Sequence, residues 1–361
     1  MLMLHYINSF TLKEYCIMDK TKNNRIIWVD IAKGIGIILV IIAHSLVKNQ
    51  HIYSRGLIYS FHMPMFFILA GYTVTANPTL ATFKKSIKNR LIRLLLPALV
   101  CYLITSIFQA VKSISENTIL LKDFLCNRLL GLLFCEGMDI YAWNIKIPGI
   151  GMLWFFFVLF FSFLVFYLLH LIKDLINVTL FSILISVIGY FIIIYFVTIP
   201  FSFEIALLLL PFLSFGQYIL PKIDLSSIRI LLISGALWLI LFIVSYQLSH
   251  YYFEIVPKTL PYYPICFITA ILGSLFIFCI SKNLSNTKYF SKAFSIIGKN
   301  SLYILIAHYL EVIVTTFWNP KNIFLRMIES FIFVSVVTVV IIEGKKLIKP
   351  GLNKVFFSNN V

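Results

Sequence analysis

Long apolar runs separated by short polar segments make up most of this chain, and several of these segments contain proline. A helix that crosses a bilayer needs about 20 mostly apolar residues. Runs of roughly this length occur at residues 26–47, 57–76, 91–111, 151–172, 178–199, 203–221, 228–248, 262–281, 300–317 and 327–345. The pattern predicts an all-α polytopic membrane protein with about ten transmembrane helices.

The amino-acid composition excludes a water-soluble protein. Of the 361 residues, 60% are hydrophobic and only 12% are charged, and the mean hydropathy is +0.96. These values lie far outside the soluble range. The formal net charge of +16 raises the question of a nucleic-acid partner. Because the basic residues are dispersed between the apolar runs, membrane topology explains them more simply, and no nucleic acid is expected.

The distribution of basic residues predicts the orientation in the membrane. An even number of helices places both ends of the chain on one side, and the loops of that side carry 20 lysine and arginine residues against nine on the other. By the positive-inside rule, both termini are cytoplasmic. The expected organisation is a cytoplasmic N-terminal segment at 1–25, a transmembrane domain at 26–345 and a cytoplasmic tail at 346–361. No signal peptide is evident, and either Met1 or Met18 is the start.

The longest connection, at residues 112–150, lies outside in this topology. It could form a small cap, in which the apolar segment 129–140 is a re-entrant or interfacial helix, or it could be a floppy loop. Cys126 and Cys135 within it could pair in an oxidising compartment, although free thiols are the simpler expectation. The six cysteines show no CxxC spacing, so no metal or redox site is predicted.

The first apolar run contains three ionisable residues, which are costly inside a membrane and therefore need a reason. Lys33 and His44 are eleven positions apart, or about 20° around a helix, so they share one face. Asp30 lies one turn before Lys33 and can pair with it. Gly34 and Gly36 beside this stripe allow close approach of another helix or of a ligand. For His44, a structural hydrogen bond to a neighbouring helix is the simpler alternative.

The second run enters as YSFHMPMFFILAGY, and its His62 lies near the same outer surface as His44. Two imidazoles are therefore expected to converge at this surface. Pro64 suits the opening turn of a helix, and His62 could equally be an ordinary interfacial histidine.

A basic cluster opens the third run, in the sequence KKSIKNRLIRLLLP. Arg90 and Arg93 are neighbours on a helix there, with Lys88 upstream. Guanidinium groups bind phosphate oxygens in pairs, as a nucleotide-containing donor would require. The alternative is a cytoplasmic anchor that binds lipid head groups.

The ninth run contains GKNSLYILIAHYLE, in which His308 and Glu311 lie on adjacent turns of one helix face. Their depth in the run makes both functional candidates, and Glu311 could orient His308. Asn300 and Tyr303 belong to the same sequence and are candidates for contact with substrate.

These residues resemble the acyltransferase family 3 of integral membrane O-acyltransferases, especially its fucose 4-O-acetylase-like branch. Five motifs in order carry the resemblance, which covers most of the chain: VDIAKGIGIILVIIAHS, FHMPMFFILAGY, NRLIRLLLP, GMLWF and GKNSLYILIAH. The resemblance implies ten helices around the active site, which agrees with the number of apolar runs, and a place in the bacterial cytoplasmic membrane.

The resemblance also implies an activity, the transfer of an acyl group, commonly acetyl from acetyl-CoA, to hydroxyls of surface carbohydrate or its lipid-linked precursor. His44 is then the general base and Lys33 its basic partner. The candidate catalytic residues are His44, Lys33, Asp30, His308 and Glu311, the candidate CoA-binding residues are Arg90, Arg93 and Lys88, and the candidate substrate-binding residues are His62, Asn300 and Tyr303. The expected partners are acyl-CoA, a carbohydrate acceptor and membrane lipids.

Two features depart from the family pattern. The family's first basic residue is often arginine, and Lys33 is less suited to bidentate phosphate binding, so it could instead pair with Asp30. No hydrolase-like domain follows the tenth run, so transfer is expected to finish within the membrane domain or on a partner.

Two other classes of protein fit the same sequence. Ten helices with intramembrane charges also suit a transporter or flippase for a glycan intermediate, although the two halves show no similarity. A structural subunit of a polysaccharide-synthesis complex would tolerate changes at His44 and Arg93. The residues leave open whether acyl transfer is direct or passes through an acyl-histidine.

Overall fold

A computed structural model of the protein describes residues 25–46, 51–74, 80–115, 120–172, 177–314 and 323–357. The predicted N-terminal segment before residue 25, with Met18, lies outside these ranges, as do the last four residues of the predicted tail. The helices are α1 (Ile27–Ser45), α2 (Ile52–Tyr59), α3 (His62–Tyr72), α4 (Leu80–Arg90), α5 (Leu96–Ser115), α6 (Leu121–Phe134), α7 (Trp154–Leu171), α8 (Val178–Phe196), α9 (Phe203–Leu208), α10 (Leu210–Ser214), α11 (Ile228–Ser249), α12 (Ile265–Leu284), α13 (Lys288–Lys299), α14 (Ser301–Val314) and α15 (Ile323–Phe357).

The long apolar helices confirm an all-α polytopic membrane protein. Seven helices within the described residues are long and apolar enough to cross a membrane. One of them runs through α4 and α5, because the π-helical segment Leu91–Leu95 joins the two without a break. An eighth crossing is formed if Pro200–Leu208 and Leu210–Lys222, bent by 51° at their junction, count as one broken span. The predicted total of ten stays a prediction.

The predicted helix at 57–76 is wrong as a single element. It is split at Ser60 and Phe61 into α2 and the eleven-residue α3. Pro64 explains the split, because proline has no N–H to donate to the carbonyl four residues earlier and its ring clashes with that carbonyl. Pro64 is the third residue of α3 and so lies in its opening turn, as the sequence predicts. The break places His62 at the first position of the new helix.

Helix α1 lies at the centre of the fold and packs against α3, α12, α13, α14 and α15. Its contact with α13 is backbone to backbone. A side chain at Gly34 would collide with the carbonyl oxygen of Phe294, and a side chain at Gly298 would collide with that of Asp30. The close approach predicted at Gly34 is therefore made by a helix, α13, that the apolar runs alone did not predict. We call the end of the bundle where α1 begins the inner end, and the opposite end the outer end.

The connection at 112–150 is ordered over its described residues at the outer end, so the floppy-loop alternative is wrong for residues 120–150. It consists of α6 and a hairpin of strands β1 (Ile140–Ala142) and β2 (Ile145–Ile147), in which Ile140 pairs with Ile147. Cys126 is exposed and Cys135 is buried, and both are free thiols, as are the other three described cysteines. The simpler expectation for this cysteine pair is thus confirmed.

Three outer loops are joined by a buried set of charges that we call the outer ion network: Glu136, Glu204 and Lys258. The Lys258 Nζ lies 2.7 Å from Glu136 Oε1 and 2.9 Å from Glu204 Oε1. It also donates to the carbonyl of Val197 at 2.6 Å. The side chains of both glutamates are fully buried. Such charges are stable in the interior only because each has a partner.

The backbone beside this network is strained. Cys135, Val197, Ser202 and Lys258 have positive φ angles of 56°, 65°, 47° and 56° although none is glycine. Each such residue costs of the order of 1–3 kcal/mol unless its surroundings enforce the conformation. The buried charges supply that enforcement, because they fix the positions of all three loops at once.

Candidate active site

One face of helix α1 forms part of the wall of the site. Lys33, Ile37 and Val40 of α1 line one cavity, and His44 continues the same row one turn further on. Lys33 and His44 therefore share a face, as their eleven-residue spacing requires. His44 is half-buried and lies in the last turn of α1 at the outer end.

The predicted ion pair between Asp30 and Lys33 is not formed. Among the described residues no carboxylate lies within ion-pair distance of Lys33, and Asp30 Oδ2 is buried without a hydrogen-bond partner. Both side chains instead line the cavity. A spacing of three residues makes a pair possible on a helix but does not require one.

Three histidines from three helices converge at the outer end of this cavity. The rings of His44 and His308 meet edge to face, with centroids 5.4 Å apart. The ring of Tyr59 contacts the imidazoles of His44 and His62, with centroid distances of 6.1 Å and 4.8 Å. His62 and His308 are almost fully buried. The cluster brings together α1, α3 and α14 with Tyr59 of α2.

Hydrogen bonds fix the orientation of two of these rings. His308 Nδ1 donates to Glu311 Oε2 at 2.7 Å, and Ser330 Oγ donates to the other carboxylate oxygen of Glu311. His62 Nδ1 donates to the carbonyl of Ile58 at 3.0 Å. In the neutral form of both histidines, Nε2 is then the nitrogen that accepts a proton. The Nε2 of His308 is buried and has no hydrogen-bond partner among the described residues.

The inner cavity, with a volume of about 500 Å³, extends from the inner surface toward this cluster. Its outer limit is formed by Val40, Met63 and Leu305, each of which lies within one turn of a histidine on its own helix. The cavity is lined by the basic residues Arg25, Lys33, Arg90, Arg93 and Lys299. The cavity is therefore basic at its inner mouth and ends within one helical turn of the three imidazoles, none of which lines it.

The two arginines predicted to bind phosphate differ in their surroundings. The guanidinium of Arg90 stacks 3.4 Å from the ring centroid of Phe163 and donates to the hydroxyl of Tyr167 at 3.2 Å. Arg93, in the π-helical segment, is exposed and lines the cavity. Arg90 is thus largely engaged with α7, whereas Arg93 is available to a ligand.

Three predicted residues belong neither to the lining of the inner cavity nor to the histidine cluster: Lys88, Asn300 and Tyr303. The side-chain amide of Asn300 donates to the carbonyl of Ile296 at 3.0 Å, which joins α13 to α14. Lys88 is exposed on α4, and Tyr303 is half-buried on α14. The structure therefore does not place these three residues with the histidine cluster.

Sequence reasoning missed Arg55, which holds the outer end of α1. Its Nη1 donates to the carbonyls of Ala43 and Leu46, each at 3.4 Å, and its guanidinium stacks 4.4 Å from the ring centroid of Tyr59. Its Nε donates to the hydroxyl of Tyr252 at 3.3 Å. A cation at a helix C-terminus satisfies the free carbonyls there. The signal in the sequence was a basic residue shortly after the run that contains His44.

The outer loop at 250–264 is held by contacts of its Tyr252 and Glu254 with Arg55. Glu254 Oε1 lies 3.5 Å from Arg55 Nη2. Burial raises the pKa of the Tyr252 hydroxyl, so this group is neutral at physiological pH and accepts from the guanidinium. The outer loop at 250–264 is consequently tied to the helix end that carries His44.

The chain is similar to several known proteins. A family model described as an acyltransferase domain matches residues 26–342. Nodulation protein NolL of Mesorhizobium japonicum is 38% identical over 101 residues, which are 25% of this chain and 26% of that protein. Nodulation protein NolL of Sinorhizobium fredii is 36% identical over 85 residues, or 21% and 23% of the two chains. The match thus spans about a quarter of the length of these curated relatives. No solved structure matches the chain.

Proposed function

The chain belongs to the acyltransferase family 3 of integral membrane proteins, and from this premise we propose that it transfers an acyl group from acyl-CoA to a carbohydrate hydroxyl. Acetyl is the simplest acyl group for this role. The acceptor is a cell-surface polysaccharide or its lipid-linked precursor, as in the fucose 4-O-acetylase-like branch that the sequence resembles. In this proposal the inner end faces the bacterial cytoplasm, where CoA is available.

The inner cavity supports the donor assignment. CoA carries its phosphates at one end and its thioester at the other, so a matching site must be basic at one end and reactive at the other. The exposed side chains of Arg25, Arg93 and Lys299 provide the basic end. Lys33 lies further along α1, and the histidine cluster borders the opposite end. Arg93 binds the donor phosphates more directly than Arg90, because Arg90 is already held by two aromatic rings.

His44 is the general base of the proposed reaction. An unactivated hydroxyl is a poor nucleophile at neutral pH, and removal of its proton by a positioned imidazole accelerates such reactions by about 10²–10⁴-fold. The hydroxyl oxygen attacks the thioester carbonyl while His44 takes the hydroxyl proton. The carbon–sulfur bond then breaks, and the CoA thiolate leaves with a proton returned from the imidazolium.

His308 and Glu311 support this base. Glu311 holds His308 with its Nδ1 as the donor, so that the buried Nε2 is an acceptor beside His44. This acceptor stabilises the protonated ring of His44, as the carboxylate does in other relay systems. Tyr59 and His62 border the outer side of the cluster, where the sugar enters.

One observation carries the proposal: a cavity lined by basic side chains at the inner surface extends to Val40, Met63 and Leu305, each within one turn of a residue of the histidine cluster. The test is an assay of purified protein in lipid nanodiscs with labelled acetyl-CoA. It compares the wild type with His44→Ala and Arg93→Ala, and it measures CoA release and acetyl transfer to glycans of the producing cell. CoA release by the wild type and its loss in His44→Ala are the expected results. A wild type that binds no acetyl-CoA and shows no turnover would overturn the proposal and favour glycan transport.

A further inference from the structure

A second cavity, which we call the side groove, adjoins the inner cavity at the inner end of the bundle. Its volume is about 370 Å³. Arg25, Asp30 and Lys299 line both the side groove and the inner cavity, so these three residues form their common border. Any ligand that is longer than the inner cavity can therefore continue past them into the groove.

The wall of the side groove is one polar face of α13. Lys288, Lys292, Ser295 and Lys299 follow each other at spacings of three or four residues, which places them in one row, and Ser291 lies beside this row. Gly298, at the edge of this face, contacts the backbone of α1. The groove is thus lined by four cations, Arg25 and the three lysines, with hydroxyl groups between them.

The start of α13 adds backbone donors to the groove. Thr287, the residue before the helix, gives its hydroxyl hydrogen to the carbonyl of Leu284 at 2.7 Å and does not cap the helix. The backbone N–H groups of the first turn of α13 have no hydrogen-bond partner within the helix, and they point outward from its N-terminal end. Together with the partial positive charge of the helix dipole, they favour a phosphate at this end.

A carboxylate at the border of the groove points to a ligand that is more than a phosphate. Asp30 is over nine-tenths buried, and its Oδ2 has no hydrogen-bond partner. A bare anion would be repelled by this carboxylate. A nucleotide contains both kinds of group, because its phosphates suit the cations and its ribose hydroxyl or adenine amino group suits a free carboxylate oxygen.

We propose that the side groove binds the 3′-phosphorylated nucleotide end of the acyl-CoA donor, while the pantetheine arm occupies the inner cavity. This inference rests on the proposed function. The 3′-phosphate lies against Lys288, Lys292 and the first turn of α13, and the ribose lies beside Asp30 at the common border. The pyrophosphate continues past Lys299 to Arg93 in the inner cavity. A phosphate monoester carries about −1.5 to −2 charges at neutral pH, which the two lysines match.

The test compares acetyl-CoA with acetyl-3′-dephospho-CoA in nanodiscs of zwitterionic lipid, where no anionic head group competes for the groove. Lys288→Gln combined with Lys292→Gln removes the proposed 3′-phosphate ligands. Lys222→Gln combined with Lys282→Gln is the matched control, because it removes the same charge from lysines that do not line the groove. All four side chains are outside the core, so folding is not at risk.

For the wild type, the expected KM for acetyl-CoA is roughly three- to tenfold below that for the dephospho donor, as loss of exposed charge-assisted hydrogen bonds predicts. The groove variant loses this preference, and the control variant keeps it. A wild type without the preference, or a groove variant that retains it, overturns the inference while leaving the acyltransferase activity in place.

Direct binding of adenosine 3′,5′-bisphosphate separates this inference from the proposed function, because it requires no chemistry. Titration calorimetry with the wild type should show binding that weakens roughly three- to tenfold in the groove variant and not in the control. Absence of binding to the wild type contradicts the inference even if acetyl transfer occurs. Binding without any acetyl transfer supports the nucleotide site and contradicts only the proposed reaction.

Discussion

His44 of α1 and His308 of α14 meet edge to face one helical turn beyond the inner cavity, with their ring centroids 5.4 Å apart. The far side of His308 is held by Glu311, whose second oxygen accepts from Ser330 of α15. A chain of polar contacts therefore runs from the imidazole nearest the cavity to a hydroxyl on another helix. The arrangement defines which substitutions should affect chemistry and which should affect only stability.

Replacement of the proposed base His44 should lower the rate of acetyl transfer strongly and leave the affinity for acetyl-CoA unchanged. We expect His44→Ala to lower kcat by about 10²–10⁴-fold. Binding of CoA should be unchanged, because the basic mouth lies at the other end of α1. Acetyl transfer and CoA titration in nanodiscs measure the two effects. His250→Ala, an exposed histidine outside the cluster, is the control. Full activity in His44→Ala would remove this residue from the mechanism.

Ser330 should act as a positioning residue through Glu311. We expect Ser330→Ala to lower kcat by about tenfold and to leave the KM for acetyl-CoA unchanged, since a lost hydrogen bond to a charged group costs about 1.5–3 kcal/mol. Ser330→Thr, which keeps the hydroxyl, should restore much of the rate. Thr338→Val is the control, because Thr338 is buried on the same helix and its hydroxyl has no partner among the described residues. If Ser330→Ala and Thr338→Val lose the same amount of activity, the effect is one of packing on α15, and the positioning role of Ser330 is wrong.

Replacement of Arg93 should weaken donor binding, whereas replacement of Arg90 should lower the stability of the protein. Arg93→Ala should raise the KM for acetyl-CoA by roughly tenfold with little change in melting temperature, because its side chain is exposed. Arg90→Ala should lower the melting temperature, because it removes the stack on Phe163 and the bond to Tyr167. Kinetics and thermal unfolding of both variants test the distinction. The reverse assignment of the two phenotypes would contradict the role given to Arg93.

Loss of the lysine in the outer ion network should destabilise the protein. Lys258→Met leaves Glu136 and Glu204 buried without their cation, which typically costs 3–5 kcal/mol. A marked fall in melting temperature is expected, with partial recovery when both glutamates are also changed to glutamine. Lys146→Met is the control, because its ion pair with Asp139 is exposed and should contribute no measurable stability. Equal melting temperatures for the two lysine variants would show that the buried network is not needed.

The sequence predicted the helices whose apolar runs are unbroken. The predicted spans at 151–172 and 178–199 correspond to candidate membrane helices at Gly151–Leu171 and Val178–Phe196. Prolines account for the failures. Beside Pro64, the predicted span at 203–221 is broken at Leu209, between α9 and α10, because Pro211 in the first turn of α10 has no N–H for the carbonyl four residues earlier. Hydropathy measures how apolar a segment is, and it does not report where the backbone hydrogen bonds are interrupted.

Within the site, the sequence predicted only relationships along one helix. The shared face of Lys33 and His44 and the adjacent turns of His308 and Glu311 follow from helical periodicity. Arg55 could not be placed in this way, because it contacts Tyr252 across 197 residues of sequence. Ser330 likewise reaches Glu311 from a different helix. Contacts between helices depend on how the bundle packs, which a single sequence does not specify.

The outer ion network also limits how the polypeptide can be divided. Glu136 and Lys258 are 122 residues apart, with Glu204 between them. A fragment that ends in the connection between α10 and α11 contains both acids and lacks the base that neutralises them. Neither such a fragment nor its remainder is a self-sufficient module, so split versions of this enzyme would have to be co-expressed and assembled in the membrane. The chain therefore cannot be divided in the connection between α10 and α11 into two parts that are each stable alone.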